Sequence, residues 1–206
     1  MAKDKKKKKG DDGADALPAP APRLREKFAG EVSAKLDEEF GTTNPMARPR
    51  LDKITINVSV GRHLDGTKVP SNVTDAVINT LETISGQKPV LILAKRSVSN
   101  FKVREGYPSA YKVTLRRERM WHFLDRLIHL ATPRIKDFRG LSRKGFDGCG
   151  NYSMGLTEQG VFPEINMAEV SFTHGMNINL SFRNSDAKRS LFALEALGMP
   201  FERVEE

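Results

Sequence analysis

The sequence predicts one β-sheet that has helices packed on one of its faces and leaves the opposite face free. Two observations indicate this arrangement: segments with helical spacing of apolar residues are intermixed with strands, and several strands alternate apolar with polar side chains. A strand of that kind buries only one of its faces. The length of 206 residues fits one domain with a tail.

The predicted tail is residues 1–22. It contains a lysine run at positions 5–9, an acidic stretch and a Pro/Ala-rich end. Such a segment buries too little apolar surface to order itself, so we expect a disordered tail followed by a single domain over residues 23–206. The lysine run could serve either as a non-specific RNA contact or as a solvating arm.

Apolar spacing predicts the elements of the first half of the domain. A helical stripe covers residues 24–40 and stops at a glycine. Residues 51–60 alternate strictly from position 54 onward, which predicts a strand buried on one side. A second helix is expected over 73–84, with Gly86 just after it, and 89–93 reads as a short apolar strand.

The second half follows the same logic. Residues 111–115 predict a strand with one apolar and one cationic face, and 120–131 a helix that a proline ends. The glycine-rich segment 139–151 is expected to be a mobile basic loop. A late strand over 178–182 precedes a closing helix over 186–197. The N-cap candidates for that helix are Asn184 and Ser185.

Positive charge is concentrated in one stretch. Residues 94–144 contain 14 basic and 4 acidic residues, whereas the rest of the chain contains 20 basic and 22 acidic residues. A concentration of cations on a folded segment is typical of a polyanion-binding surface, because neutralised phosphates release counterions. The alternative is a solvated basic face without a specific ligand.

Candidate catalytic patterns are weak. The loop from Gly61 to Lys68 is similar to a phosphate-binding loop, but its Thr-Lys order is transposed and Val-Pro separates it from the next helix. Cys149, the only cysteine, has no nearby histidine. His122 and His129 lie seven residues apart, which is too far for a helical metal pair. We therefore predict no catalytic residue, no metal site, no cofactor and no membrane segment.

Several multi-residue strings carry a family resemblance. They include Ser85-Gly-Gln-Lys-Pro89, Phe101-Lys-Val-Arg-Glu-Gly106, Glu118-Arg-Met-Trp121, Phe138-Arg-Gly-Leu-Ser142, Gly150-Asn-Tyr-Ser-Met-Gly155 and Phe162-Pro-Glu-Ile165. With these strings in this order, the chain from about Leu24 to Phe201 resembles the bacterial ribosomal protein L5 family. The resemblance implies an α+β fold with a mostly antiparallel sheet and helices packed on one face.

The resemblance also implies function and partners. It implies a structural protein of the large ribosomal subunit, ribosome-bound in the cytoplasm, which binds 5S rRNA and helps to attach it in the central protuberance. The further partners that it implies are 23S rRNA, P-site tRNA and a protein of the small-subunit head, contacted in an intersubunit bridge. A nucleotide-binding enzyme and an RNA chaperone outside the ribosome are the rival hypotheses.

Site residues follow from the resemblance position by position. The 5S-contacting polar residues of the family match Asn57, Gln87 and Thr114; local hydrogen bonding is the alternative role for each. Basic residues expected on RNA phosphates are Lys95, Arg96, Lys102, Arg104, Lys112, Arg116, Arg117 and Arg119, although the last three could form only a solvated helix start.

Two loops are assigned to the larger partners. The loop with Phe101 and Tyr107 is expected near tRNA, where an aromatic ring could stack on a base; Phe101 could instead anchor the loop in the core. The intersubunit contact is assigned to Phe146, Asp147 and Asn151. Some positions depart from the usual family pattern, and they are the long tail, the long segment 62–69, Ser109-Ala110 and Cys149.

Overall fold

An antiparallel sheet with the strand order β2-β3-β1-β5-β4 forms the frame of the fold. The computed structural model describes residues 20–42, 44–61, 69–168, 170 and 172–202. The strands are β1 (Arg50–Ser59), β2 (Val90–Leu93), β3 (Pro108–Leu115), β4 (Tyr152–Leu156) and β5 (Met176–Arg183). The alternating strand β1 lies at the centre, where Ile54, Ile56 and Val58 are fully buried on one face.

Helices cover that buried face. They are α1 (Arg23–Lys27), α2 (Ser33–Phe40), α3 (Ser71–Ser85), α4 (Arg117–Arg126) and α5 (Ala187–Leu197). The π-helical turn Phe28–Val32 joins α1 to α2, and a second one, Leu127–Ala131, continues α4. The predicted helices over 24–40 and 120–131 are therefore confirmed, each with a π-helical turn in its length.

The core lies between this helical layer and the sheet. Helix α3 packs on β3 and α4 packs on β1. The rings of Phe123 and Phe162 stack with centroids 5.9 Å apart, and both side chains are fully buried. The α+β class, the antiparallel sheet and the placement of helices on one face are confirmed.

Three local features differ from the expectations. Strand β4 was not predicted, although Tyr152, Met154 and Leu156 alternate and are buried. The closing helix has Asp186 as its N-cap, so the prediction of Asn184 or Ser185 is wrong. The side-chain amide of Asn184 donates to the Met46 carbonyl oxygen at 2.8 Å, and the Ser185 hydroxyl lies 2.7 Å from that of Ser190.

The short apolar strand β2 is an edge strand that the helices leave uncovered. Among the described strands it pairs with β3 alone, and Val90, Leu91 and Leu93 are 63%, 43% and 49% exposed. A run of four apolar residues favours a strand but does not by itself indicate burial. The sequence therefore predicted the element correctly, whereas its exposure is visible only in the sheet order.

Candidate RNA-binding surface

The open face of the sheet carries polar side chains in register. Asn57 of β1 lies opposite Lys112 of β3 on one side and Asn177 of β5 on the other. Directly opposite residues in an antiparallel pair have Cβ atoms about 5 Å apart. The three strands therefore present one cation and two amides side by side.

A second row lies next to the first, one pleat along the strands. It runs from Thr114 of β3 through Thr55 of β1 and Asn179 of β5 to Ser153 of β4. All of these side chains are half-buried or exposed. Together the two rows form a polar surface across four strands, which we call the open face.

The structure leaves the predicted polar trio available to a ligand. Asn57, Thr114 and Gln87 are half-buried, and none of the three side chains forms a hydrogen bond with another described residue. An amide carries two N–H donors and a carbonyl acceptor, and a threonine hydroxyl can donate and accept. Local hydrogen bonding, the alternative role for these residues, is therefore not observed in the described part of the chain.

Gln87 reaches this surface because α3 ends just before it. Gly86 adopts φ +62°, in the left-handed region, and reverses the chain after the helix. The Ser85 hydroxyl oxygen accepts the Gln87 backbone N–H at 3.2 Å, which fixes the turn. Arg119 donates from Nη1 to the Gly86 carbonyl oxygen at 3.4 Å, so Gln87 and Arg119 lie at the same end of β3.

The β2–β3 hairpin loop projects from the other end of β3. Backbone hydrogen bonds between Ala94 and Tyr107 (2.9 Å) and between Val98 and Val103 (2.9 and 3.2 Å) close it. Phe101 at its tip is 73% exposed, so the alternative role as a core anchor is wrong. Tyr107 is half-buried at the base of the loop. The predicted cations of this loop are all exposed, and they are Lys95, Arg96, Lys102 and Arg104.

The predicted cations and Thr114 thus form one strip along β3. The hairpin cations lie at one end, Lys112 and Thr114 lie along the strand, and Arg116, Arg117 and Arg119 lie at the far end, where all three are exposed. An eight-residue strand such as β3 spans about 26 Å. Such a strip can follow a nucleic-acid backbone over several phosphates, which is how cations position RNA.

The three residues assigned to the intersubunit contact hold their own loop together. The carboxylate of Asp147 accepts the backbone N–H of Cys149 at 3.0 Å and of Asn151 at 2.7 Å, and its second oxygen accepts the Asn151 side-chain amide at 2.7 Å. The Asn151 side-chain oxygen accepts the backbone N–H of Phe182 at 3.0 Å, which fastens the loop to β5. These hydrogen bonds lower the pKa of Asp147 below its ordinary value.

Phe146 also packs against neighbouring side chains of the protein. Its ring centroid lies 4.6 Å from that of Tyr152 and 5.8 Å from that of Phe201. Burial, with the nearby charge of Glu202, raises the pKa of Tyr152 to about 12, and its hydroxyl donates to the Ser142 carbonyl oxygen at 3.0 Å. The outward parts of this loop are therefore its tip at Gly148 and Cys149 and the exposed Arg143 and Lys144.

Sequence reasoning missed part of the open face. Asn177, Asn179 and Ser153 belong to it, but only the strand order shows that β5 and β4 extend the polar rows of β1 and β3. Alternation of asparagine with apolar residues in β5 was the available signal. Within the described residues, no group of three or more His, Cys, Asp or Glu side chains could hold a metal ion.

The rival enzyme loop lies almost entirely outside the described residues, which include only Gly61 of its eight positions. The predicted tail also lies outside them up to residue 19. No described helix is long and apolar enough to cross a membrane.

Comparison with known proteins identifies the family. Residues 44–104 match the family described as Ribosomal protein L5, and residues 108–201 match the separate model for the C-terminus of that ribosomal family. Large ribosomal subunit protein uL5 of Wolinella succinogenes is 48% identical over 181 residues, which cover 88% of this chain and 96% of that protein. The protein of the same name from Bdellovibrio bacteriovorus is 48% identical over 183 residues, covering 88% and 99%. The chain therefore belongs to the ribosomal protein L5 family, a family of structural ribosomal proteins and not of enzymes.

Proposed function

We propose that the protein binds 5S rRNA through the open face and helps to attach it to 23S rRNA in the central protuberance of the large subunit. Family membership makes it a ribosome-bound protein of the large subunit in the cytoplasm, and the nucleotide-binding enzyme is thereby excluded. What we propose beyond family membership is that 5S rRNA is the RNA that the open face recognises in the large subunit. It assigns residues 23–206 as the RNA-binding domain and residues 1–22 as a tail.

One observation carries the proposal: the amide and hydroxyl groups of Asn57, Gln87 and Thr114 lack hydrogen-bond partners among the described residues and lie next to a strip of cations. Half-buried polar groups favour a partner that replaces the hydrogen bonds of water. RNA offers base edges and 2′-hydroxyls to these three side chains, and phosphates to Lys112 and the arginines. The polar groups would supply selectivity, and the cations would supply most of the affinity.

Two further contacts belong to the same proposal. We propose that the hairpin loop lies near P-site tRNA. The exposed ring of Phe101 would stack on a base, and Lys102 and Arg104 would contact phosphates. The loop from Phe146 to Asn151 is placed against a protein of the small-subunit head. Because Phe146, Asp147 and Asn151 shape that loop internally, their role there would be to hold its tip in position.

Filter binding of purified protein to 5S rRNA and to a tRNA, over a salt series, tests the proposal. We expect tighter binding of 5S rRNA, and a loss of that preference of about tenfold in Asn57→Ala or Gln87→Ala, since one good polar contact discriminates by about 1–3 kcal/mol. Asn72→Ala is the matched control, because Asn72 is exposed on α3, outside the open face. Equal affinity for both RNAs at every salt concentration would indicate non-specific binding by charge alone. It would contradict the assignment of the open face as the recognition site.

A further inference from the structure

A polar groove lies between helix α3 and residues 164–166 of the loop before β5. It has a volume of about 430 Å³, which is in the usual range for small-ligand sites. None of its described lining residues is basic, although the whole chain carries a net charge of +8. The polar side chains of the lining include Asn72, Asp75, Asn79, Thr80, Glu164 and Asn166.

Asp75 gives the groove an uncompensated negative charge. Glu164, the other carboxylate of the lining, pairs with Nη1 of Arg126. Arg126 also donates from Nη2 to the Ile84 carbonyl oxygen at 2.7 Å, which fixes its position. The side chain of Asp75 is exposed and forms no ion pair or hydrogen bond with another described residue. The free charge of the groove therefore lies on its α3 wall.

The hydroxyl of Thr80 in the same wall is unpaired. Two other threonines of α3 donate to the carbonyl oxygen four residues earlier, Thr74 to Pro70 at 3.3 Å and Thr83 to Asn79 at 2.8 Å. A threonine inside a helix commonly forms this hydrogen bond. The side chain of Thr80 forms neither this bond nor any other with a described residue, although the residue is only 6% exposed.

This hydroxyl adds to a set of acceptors that face the groove. A buried polar group without a partner costs free energy. The Thr80 oxygen has no partner and is still in contact with solvent, so it opens into the groove that the residue lines. Asp75 and Asn79 are four residues apart and therefore share one face of the helix. The groove thus offers a carboxylate, an amide oxygen and a hydroxyl from one wall.

We propose that this groove binds an aliphatic ammonium group, supplied either by a free linear polyamine or by a lysine side chain of another protein. The inference goes beyond RNA binding, since no lining residue belongs to the open face. An ammonium group has three N–H donors and no acceptor, which matches the oxygen atoms of Asp75, Asn79 and Thr80. Its methylene chain would lie on Ala76 and Ile165, which are apolar residues of the lining.

The experiment is an NMR titration of the full chain without RNA, observed at the backbone amides of α3. The probes are spermidine, a short peptide with a single lysine and blocked ends, and tetramethylammonium, which is a cation without N–H donors. The variants are Asp75→Asn and Thr80→Val. The matched control is Glu82→Gln, which removes a carboxylate of α3 that lies outside the groove lining. Thermal melting by circular dichroism verifies that each variant is folded.

We expect spermidine to shift the α3 amides of the wild type, and its Kd to rise about tenfold in Asp75→Asn, because a charged hydrogen-bond acceptor is lost. Thr80→Val keeps the shape of the side chain but removes the hydroxyl, so the Kd should rise about fivefold. Glu82→Gln should bind as the wild type does. Spermidine binding at least as tight as that of the peptide assigns the groove to free polyamines, and tighter binding of the peptide assigns it to a lysine of a partner protein.

Three results would overturn the proposal. They are the absence of α3 shifts with both spermidine and the peptide, equally tight binding of tetramethylammonium, and equal weakening by Glu82→Gln. The second and third would show attraction by charge alone. If Thr80→Val fails to fold, the exposed Asp75→Asn still decides the outcome. Because the titration contains no RNA, its failure would leave the proposed function standing, which the filter-binding experiment tests separately.

Discussion

Among single residues, Asp147 combines a lowered pKa with a structural role in its own loop. Hydrogen bonds from the side chain and backbone of Asn151 lower its pKa, because they favour the charged carboxylate. The unfolded chain has an ordinary aspartate pKa of about 3.9. Because the folded-state pKa is the lower one, the stabilisation is complete above the unfolded value and is lost as pH falls through the folded value.

Asp147→Asn should loosen the loop at neutral pH. An asparagine side chain cannot offer two carboxylate oxygens, so the backbone N–H groups of Cys149 and Asn151 lose a charged acceptor. We expect several-fold faster hydrogen exchange at these two amides, measured by NMR. Asp137→Asn is the control, because Asp137 is an exposed carboxylate outside this loop. Unchanged protection in Asp147→Asn would show that the carboxylate does not organise the loop.

At the scale of elements, Gly150 joins the same loop to the start of α5. It adopts φ +76°, and a Cβ atom there would lie 2.8 Å from the Ser190 hydroxyl oxygen and 2.9 Å from the backbone of Asp186. A side chain at this position would be strained by its conformation and would also push the loop away from the helix.

Gly150→Ala should therefore lower the free energy of unfolding by more than about 2 kcal/mol, or the melting temperature by about 4–8 °C. Gly148→Ala provides a control in the same loop, since a Cβ there has no neighbour within 4 Å. We expect that control to stay within about 0.5 kcal/mol of wild type. Calorimetry of the two variants checks the difference, and equal melting temperatures would contradict it.

For the whole molecule, the proposed boundary between tail and domain falls just before Arg23. Its guanidinium forms two hydrogen bonds of 2.7 Å with the Asp125 carboxylate, and Leu24 is only 3% exposed. Contacts that stabilise the domain are therefore present from the first residues of α1. Pro22, the N-cap residue of α1, is also buried, so we predict that only the residues up to 21 add nothing to the stability of the domain.

Two truncations test the boundary. Deleting residues 1–21, which keeps the buried N-cap residue Pro22, should leave the melting temperature within about 1 °C of the full chain, since a shift that small corresponds to a fraction of a kcal/mol. Deleting residues 1–27 also removes Leu24, and loss of a buried leucine costs about 2–5 kcal/mol, which corresponds to several degrees. If the shorter deletion lowers the melting temperature as much as the longer one, the boundary lies nearer the N-terminus than we propose.

Elements with strong periodicity were predictable because one physical signal determined them. In β1 and α3, burial of one face requires the alternation or helical stripe that the sequence displays. Strand β4 was missed because Gly155 interrupts its polar face and a glycine-rich loop precedes it. The N-cap of α5 was misassigned because Asn184 and Ser185 form contacts, with Met46 and Ser190, that no local pattern reveals.

The residues of the candidate site likewise fall into those that the sequence predicted and those that it did not. Asn57 and Thr114 were placed correctly on the open face, since side-chain direction in a strand follows from position alone. Asn177 and Asn179 were not linked to them, because strand order depends on contacts between distant segments.

The uncovered edge of β2 also affects how readily the free protein aggregates before it reaches the ribosome. Unpaired backbone groups beside Val90, Leu91 and Leu93 form a template on which a second copy could add a strand and begin to aggregate. Lys88 and Lys95 flank this edge, and their charge repels another copy. High salt screens such repulsion. These two lysines would thus help to keep protein synthesised in excess of its RNA dispersed.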